Sequence, residues 1–361
     1  MSTAKLTVGD KSYDLTLVEG TEGEKALDIT HLRADSGLVT LDSGYMDTGA
    51  CTSGITFLDG EKGILKYRGF PIEELAEHST FTEVSYLLIY GKLPSAQELK
   101  DFEAKIASYN DIPEGLKAII KAFPKDAHPM AVLSASMVSL STFYPKMCAQ
   151  DLTKEQRDEV MVQLMGQLKV MTAFAHRHAM GLAPIASDKS KDYSSDFLYM
   201  MTGKAVDKDV AKALDVLLIL HADHEQNCST STVRMVGSSK ANPFATISGG
   251  INALWGPLHG GANQAVLEML ADIKQEGTGY QQFLEQVKDK KSASRLMGFG
   301  HRVYKNFDPR AKIIKKATDT VWTKLGVKDD LLDIALGLEG TALRDPYFVE
   351  RKLYPNVAFY S

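Results

Sequence analysis

The chain has 361 residues, 44% of them hydrophobic and 24% charged, and 41 basic against 46 acidic side chains leave a net charge of -5. Single cores rarely grow past about 250 residues, so one large domain or two unequal ones are expected. No apolar stretch approaches the roughly 18 residues of a membrane span, no charge block invites nucleic acid or an anionic membrane, and Cys51, Cys148 and Cys228 are too scattered for a disulfide framework or a zinc ribbon. The opening MSTAKLTVGDKSYDL resembles neither a secretory nor an organelle presequence, which makes the cytoplasm the default location.

From the N-terminus, KLTVGDKSYDLTLV alternates apolar and polar residues around Gly9-Asp10, and GITFLDGEKGILKYRG repeats the pattern around Asp59-Gly60. This predicts two small β-hairpins within residues 1–70. After Phe70 the spacing becomes helical and stays so, as in PIEELAEHSTFTEVSYLLIYGKLP and LTKEQRDEVMVQLMGQLKVMTAFAHRHAMG. The body is therefore mainly α. VDKDVAKALDVLLILHADHEQN opens with acidic capping residues, and its stripe Leu214, Leu217, Leu218, His221 predicts a helix that buries that face. In DPRAKIIKKATDTVWTKLGVKDD, Asp308 stands at a cap, Pro309 at the first helical position and Gly326 near the end. With no tether in the sequence, a domain boundary should fall at a short hinge; Gly249-Gly250, Gly256-Pro257 and Gly260-Gly261 are the candidates.

Three stretches could hold chemistry. In NALWGPLHGGANQAVLEML, His259 precedes a helix, where the positive end of the dipole keeps an imidazole neutral and able to donate to a developing enolate oxygen; the plainer reading is a capping residue beside packing glycines. In LMGFGHRVYKNFDPRAKII, His301 lies in a glycine-punctuated loop and Arg310 in the first turn of the next helix, an arrangement suited to a carboxylate. A solvated basic loop with a salt-bridged arginine would give the same pattern. In LHADHEQNCSTSTVR, His221 on the apolar stripe reads as a core histidine and His224 as a carboxylate contact. His221 with His224, or His176 with His178, could suggest a metal hydrolase, but no H-E-x-x-H or cysteine cluster supports one.

Taken in order, LHADHEQNxSTST, WGPLHGGANQ, GFGHRVYKNFDPRA and YPNVxFYS resemble citrate synthase, and the similarity runs on through GITFLDGEKGILKYRGFPIEELA, DAHPMAV and SSKANPFA. The resemblance implies a mainly α citrate synthase fold: an N-terminal β-hairpin region at 1–70, a large helical domain at 71–258 and a small helical domain at 259–361. It implies condensation of acetyl-CoA with oxaloacetate to citrate and CoA in the tricarboxylic acid cycle, with no metal, no permanently bound cofactor and the coenzyme A thioester as substrate. His259 would hold the thioester oxygen and His301 the ketone of oxaloacetate, while His224 and Arg310 would grip its carboxylates. Gly298, Phe299 and Gly300 would meet coenzyme A, with Arg302 and Lys305 near its phosphates. The bacterial subgroup implies a homodimer, assembled further as a trimer of dimers.

Two departures matter. The family's catalytic aspartate position is occupied by Ala358, and family members continue beyond Ser361 with helices carrying two further substrate arginines. Both lead us to expect strongly impaired turnover, since general-base catalysis contributes about 10²–10⁴ in rate. The alternatives are 2-methylcitrate synthase, which takes propionyl-CoA, and a catalytically silent ligand-binding or assembly homologue.

Overall fold

Both period-2 stretches form antiparallel strands in the computed structural model, which describes residues 2–45, 47–301, 303–326 and 329–361. The chain divides into two compact units, Met1–Gly54 and Ile55–Ser361. In the first, β1 (Thr3–Val8) and β2 (Lys11–Glu19) pair with Val8 opposite Lys11. Gly9 begins the two-residue turn at φ +60°, a conformation that glycine alone takes without steric cost. β3 (Lys25–Leu27) completes the sheet, α1 (Leu32–Ser36) follows, and Leu15 and Leu32 are buried.

The second unit begins with its own sheet, β4 (Thr56–Asp59), β5 (Ile64–Tyr67) and β6 (Phe70–Pro71), and is helical thereafter. The first helices are α2 (Ile72–His78), α3 (Phe81–Tyr90), α4 (Ala96–Ser108), α5 (Glu114–Ala122) and α6 (Pro129–Leu140). They are followed by α7 (Lys154–Ala179), α8 (Tyr193–Thr202), α9 (Lys208–Leu220), α10 (Cys228–Ser238) and α11 (Pro243–Trp255). The last are α12 (Ala262–Glu276), α13 (Gly279–Lys288), α14 (Pro309–Leu325), α15 (Asp330–Ala342), α16 (Pro346–Glu350) and α17 (Val357–Tyr360). Side chains set several of the starts: Thr80 with Glu83, Ser95 with Glu98 and Thr153 with Gln156 form reciprocal capping boxes that satisfy two orphan N–H groups each.

Three of the four hydrophobic clusters among its described residues set the layout of this unit. Leu116, Ile120, Met137, Leu140, Met171 and Phe244 join α5, α6, α7 and α11. Leu65, Tyr67, Ile72, Leu87 and Ile219 seat the second hairpin against α2, α3 and α9, with Ile314 and Val357 reaching in from the C-terminal part. Val266, Leu270, Leu284, Leu338 and Phe348 give α12, α13, α15 and α16 a core of their own. The hairpin turn is fitted to the loop at 303–307: a Cβ on Gly60 would lie 2.2 Å from the Val303 carbonyl oxygen, and Lys305 N–H donates to the Gly60 carbonyl at 2.9 Å.

The predicted start of α14 is where the structure puts it, with Asp308 as N-cap, Pro309 next and Gly326 closing the helix at φ +58°. α9 differs from expectation. Its buried side chains are Ala211, Asp215, Val216, Ile219 and Leu220, whereas Leu214, Leu217 and Leu218 are half-buried and His221 is exposed at the C-cap. In a run as uniformly apolar as ALDVLLIL, periodicity cannot choose the face, and Asp215 chooses it: its carboxylate accepts the Phe81 N–H at 3.0 Å and the Ser194 hydroxyl at 2.9 Å. Gly249 and Gly250 lie inside α11, where a Cβ on Gly250 would come 2.7 Å from Val233 Cγ2, so they serve close packing of α11 on α10.

Candidate active site

His224 is carried by the non-helical segment 221–227 that follows α9. The second hairpin holds this segment. Tyr67 donates its hydroxyl proton to the Asp223 carbonyl at 2.7 Å, and Thr56 donates its hydroxyl to the Asp223 carboxylate. The same carboxylate accepts the N–H of Glu225 at 3.0 Å, which steadies a non-glycine residue at φ +58°. His221, the other half of the metal reading, bonds back to the Leu217 carbonyl at 2.8 Å, and His178 pairs with the Phe123 carbonyl at 2.9 Å. Among the described residues no three His, Cys, Asp or Glu side chains gather as a metal site would require.

His224, His301, Tyr304 and Arg310 form one cluster. The His224 ring lies 5.6 Å from that of His301 and 5.6 Å from that of Tyr304, and its Nε2 is 3.2 Å from the Tyr304 hydroxyl. His301 stands 4.9 Å from Tyr304, and the Arg310 guanidinium lies 5.8 Å from the Tyr304 ring centre. Arg310 is buried and held by the cap of its own helix: Asp308 accepts from its Nε at 3.0 Å and its Nη2 at 2.9 Å. A guanidinium has five N–H groups, so this bidentate grip leaves three for a ligand. The salt-bridged and carboxylate-binding readings of Arg310 are therefore compatible.

Two imidazoles have tautomers that the main chain dictates. His301 Nδ1 accepts the N–H groups of Val303 at 3.1 Å and Tyr304 at 3.2 Å, so its proton is assigned to Nε2. His259 meets Ser229, whose backbone N–H points at Nε2 from 3.3 Å and whose hydroxyl lies 3.0 Å away. The hydroxyl can rotate and already has an acceptor in Asn227 Oδ1 at 2.7 Å, but the backbone N–H cannot turn. Nε2 must then offer a lone pair, and the proton sits on Nδ1. Burial depresses all three imidazoles, with neighbouring Arg310 adding to it for His224 and His301: His224 to about 3, His301 to about 4, and His259 downward. Each ring is neutral at pH 7.

The helix end that His259 touches is not the one its sequence position suggests. Its own helix, α12, begins beyond Gly261, while the ring reaches the first turn of α10, thirty residues upstream. That turn also joins the two groups: the Asn227 side-chain amide donates to the His224 carbonyl at 3.5 Å, and Ser229 links Asn227 to His259.

The remaining predicted residues lie on two segments that the fold pairs. Gly300 N–H donates to Tyr354, Asn356 N–H donates to Gly298 at 2.9 Å, and the Asn356 side chain donates to Gly300 at 2.6 Å. Phe299 bridges Pro355 and sets its ring edge-on to Phe359 at 4.8 Å. Gly298, at φ +78°, lets α12 and α17 close on it, since a Cβ there would be 2.8 Å from Val266 and 2.9 Å from Phe359. These glycines thus serve chain pairing and packing. Lys305 is exposed, and Arg302 lies outside the described residues. Ala358 is buried in the first turn of α17; its N–H donates to Asn356 Oδ1 at 2.9 Å, and the N–H before it, on Val357, donates to Asp308 at 3.2 Å. At the far end of α17, Ser361 pairs with Asn263 of α12. The residues that sequence reasoning missed are Ser229, Tyr304 and Asp308 in its pairing role. Only the last had a signal, its place at a helix cap two residues before an arginine.

The sequence matches the family described as citrate synthase, C-terminal domain, over residues 44–361. It is 48% identical over 364 residues to citrate synthase 1 of Mycobacterium tuberculosis (strain H37Rv), covering 99% of this chain and 84% of that one. To citrate synthase of Corynebacterium glutamicum it is 50% identical over 355 residues, covering 97% and 81%. In fold it is similar to the citrate synthase of Pyrobaculum aerophilum, with TM-score 0.80, 31% identity and coverage of 100% of this chain and 85% of that. It is similar also to the Thermoplasma acidophilum enzyme solved as a ternary complex with carboxymethyl coenzyme A and oxaloacetate, with TM-score 0.81, 29% identity and coverage of 89% and 83%.

Proposed function

Because the chain belongs to the citrate synthase family, whose members are acyltransferases that join acetyl-CoA to oxaloacetate and, with water cleaving the thioester, release citrate and CoA, we propose that its two neutral imidazoles divide the condensation between them. His259 presents Nδ1–H to the thioester oxygen as the enol forms. His301 presents Nε2–H to the ketone oxygen of oxaloacetate and gives it a proton as the carbon–carbon bond closes. Arg310, with three N–H groups beyond its Asp308 pair, and His224 bind the carboxylates. Such a site works by fixed donors aimed at developing oxyanions. The observation that carries this reading is the pair of imidazoles with main-chain-assigned protons, joined to one guanidinium through Tyr304, His224, Asn227 and Ser229.

Position 358 holds an alanine where the family has its base, so turnover by this chain is strongly impaired on this reading. Ala358 is also the one observation that favours a silent ligand-binding homologue. The thioester-side contacts of Gly298, Phe299, Gly300, Arg302 and Lys305 rest on the resemblance and on the coenzyme A analogue bound in the Thermoplasma acidophilum relative. No metal or permanent cofactor takes part. Residues 71–258 and 259–361 act as a large and a small domain, a division supported by the separate core of α12, α13, α15 and α16. The protein is a cytoplasmic homodimer, further assembled as a trimer of dimers. Support comes from α10, which buries none of its side chains within the chain and leaves Met235 71% exposed, and from the fully exposed Leu258 beyond α11.

Calorimetry tests the reading. Oxaloacetate should bind the chain as it stands, and Arg310→Met should weaken it by at least tenfold, because a charge-assisted pair contributes about 1.5–3 kcal/mol. Binding that is indifferent to Arg310 would end the proposal.

A further inference from the structure

We propose that Tyr304 is a positioning residue that holds His224 protonated on Nδ1, so that a carboxylate of oxaloacetate meets a fixed N–H; the carboxylate half of this inference rests on the function proposed above. Tyr304 is 2% exposed and touches each oxaloacetate-side group of the site. Its ring packs on His224, His301 and the Arg310 guanidinium, and its backbone N–H helps fix His301. Its hydroxyl faces His224 Nε2 at 3.2 Å.

The direction of that hydrogen bond follows from what its neighbours can accept. A buried phenol keeps its proton, and burial pushes the Tyr304 hydroxyl well above its ordinary range. That proton needs an acceptor, since an unsatisfied buried donor is costly. The guanidinium of Arg310 has none to offer. His301 has spent its lone pair on two backbone N–H groups. His224 Nε2 is the acceptor the cluster supplies, and a neutral ring that accepts at Nε2 carries its proton on Nδ1. Burial and the Arg310 charge keep the ring from taking a second proton.

Two readouts test this on the intact chain. In protein labelled with ¹⁵N-histidine, long-range proton–nitrogen correlation spectra should report His224 as the Nδ1–H tautomer, and Tyr304→Phe, which keeps the ring, should shift it toward Nε2–H. Calorimetry should find oxaloacetate bound roughly three- to tenfold more weakly by Tyr304→Phe, the loss expected for one hydrogen bond. On a His224→Asn background the same change should cost no further affinity, because the hydroxyl acts through that ring. The proposal is overturned if His224 of the parent chain carries its proton on Nε2, if Tyr304→Phe leaves tautomer and affinity unchanged, or if the affinity loss persists without His224. Should oxaloacetate give no heat with the parent chain, the functional reading falls, and the tautomer spectra still decide the positioning claim.

Discussion

Asp308→Asn should unseat Arg310 and the start of α17 together. One buried carboxylate accepts four N–H groups: on Oδ1 the Arg310 backbone at 3.0 Å and Nε at 3.0 Å, on Oδ2 the Arg310 Nη2 at 2.9 Å and the Val357 backbone at 3.2 Å. An asparagine oxygen can keep the first two, but its amide nitrogen then faces Nη2 and the Val357 N–H, both donors. Two accepted bonds become donor–donor contacts, and Arg310, 5% exposed, loses its counter-charge. Removing one partner of a buried pair costs about 3–5 kcal/mol, so a loss of about 4 kcal/mol is expected. Urea unfolding at pH 7.5, followed by circular dichroism, measures it. A loss under about 1 kcal/mol, the size of an ordinary surface change, would refute the claim that this carboxylate anchors both elements. Burial pushes the Asp308 pKa up, but Arg310's charge and hydrogen bonds outweigh it and hold the group below the usual carboxylate value. Its contribution is therefore present above that usual value and fades as pH falls through the lowered one.

Ala358→Asp should raise citrate formation from acetyl-CoA and oxaloacetate by about 10²–10⁴, followed as free thiol release, and a gain below tenfold would remove position 358 from the chemistry. Acid should weaken the fold before carboxylates titrate: His224 and His301 sit at about 3 and about 4, below their unfolded value, so the unfolded chain takes up more protons as pH drops from 6.5 to 5. These two groups alone should lower stability by about 2–3 kcal/mol over that interval, His259 and His221 act in the same direction, and His224→Asn should make urea stability fall less steeply with pH. Gly60→Ala drives a methyl into the Val303 carbonyl and should cost about 1–3 kcal/mol while weakening oxaloacetate binding, because the 303–307 loop is displaced. Unchanged binding in a folded Gly60→Ala protein would separate the hairpin from the site.

Much of this site was legible because its parts are short-range. The helix start at Asp308-Pro309 and the arginine after it are one local signal, and the period-2 hairpins are another. What could not be read was long-range. His259 looks like the cap of the helix that follows it, yet its ring is set by Ser229, and nothing in WGPLHGGANQ points to STSTV. Tyr304 is one polar residue in a polar loop until the fold buries it against three others. Gly298 and Gly300 read as room for a ligand, and nothing in the sequence shows that Asn356 and Phe359 of the same chain also come close to them. The face of α9 was misread because an apolar run has no phase, and Asp215 interrupts it where no periodic rule looks.

On the proposed reading, hydrogen bonding also explains why none of His224, His259 and His301 can stand in for a carboxylate base at position 358. A base must offer a lone pair to the acetyl methyl proton. His301 has committed the lone pair on Nδ1 to the Val303 and Tyr304 N–H groups, and His259 has committed that on Nε2 to the Ser229 N–H. His224 Nε2 faces the Tyr304 hydroxyl in the same way. Each ring can give a hydrogen bond, and none is free to take a proton without first breaking one in a buried site, at about 1–3 kcal/mol for the donor left unpaired. The arrangement that makes the imidazoles good electrophiles disqualifies them as bases. On the proposed reading, donors fixed by backbone geometry polarise both carbonyls, and the proton abstraction falls to position 358 in the first turn of α17, where this sequence has a methyl group.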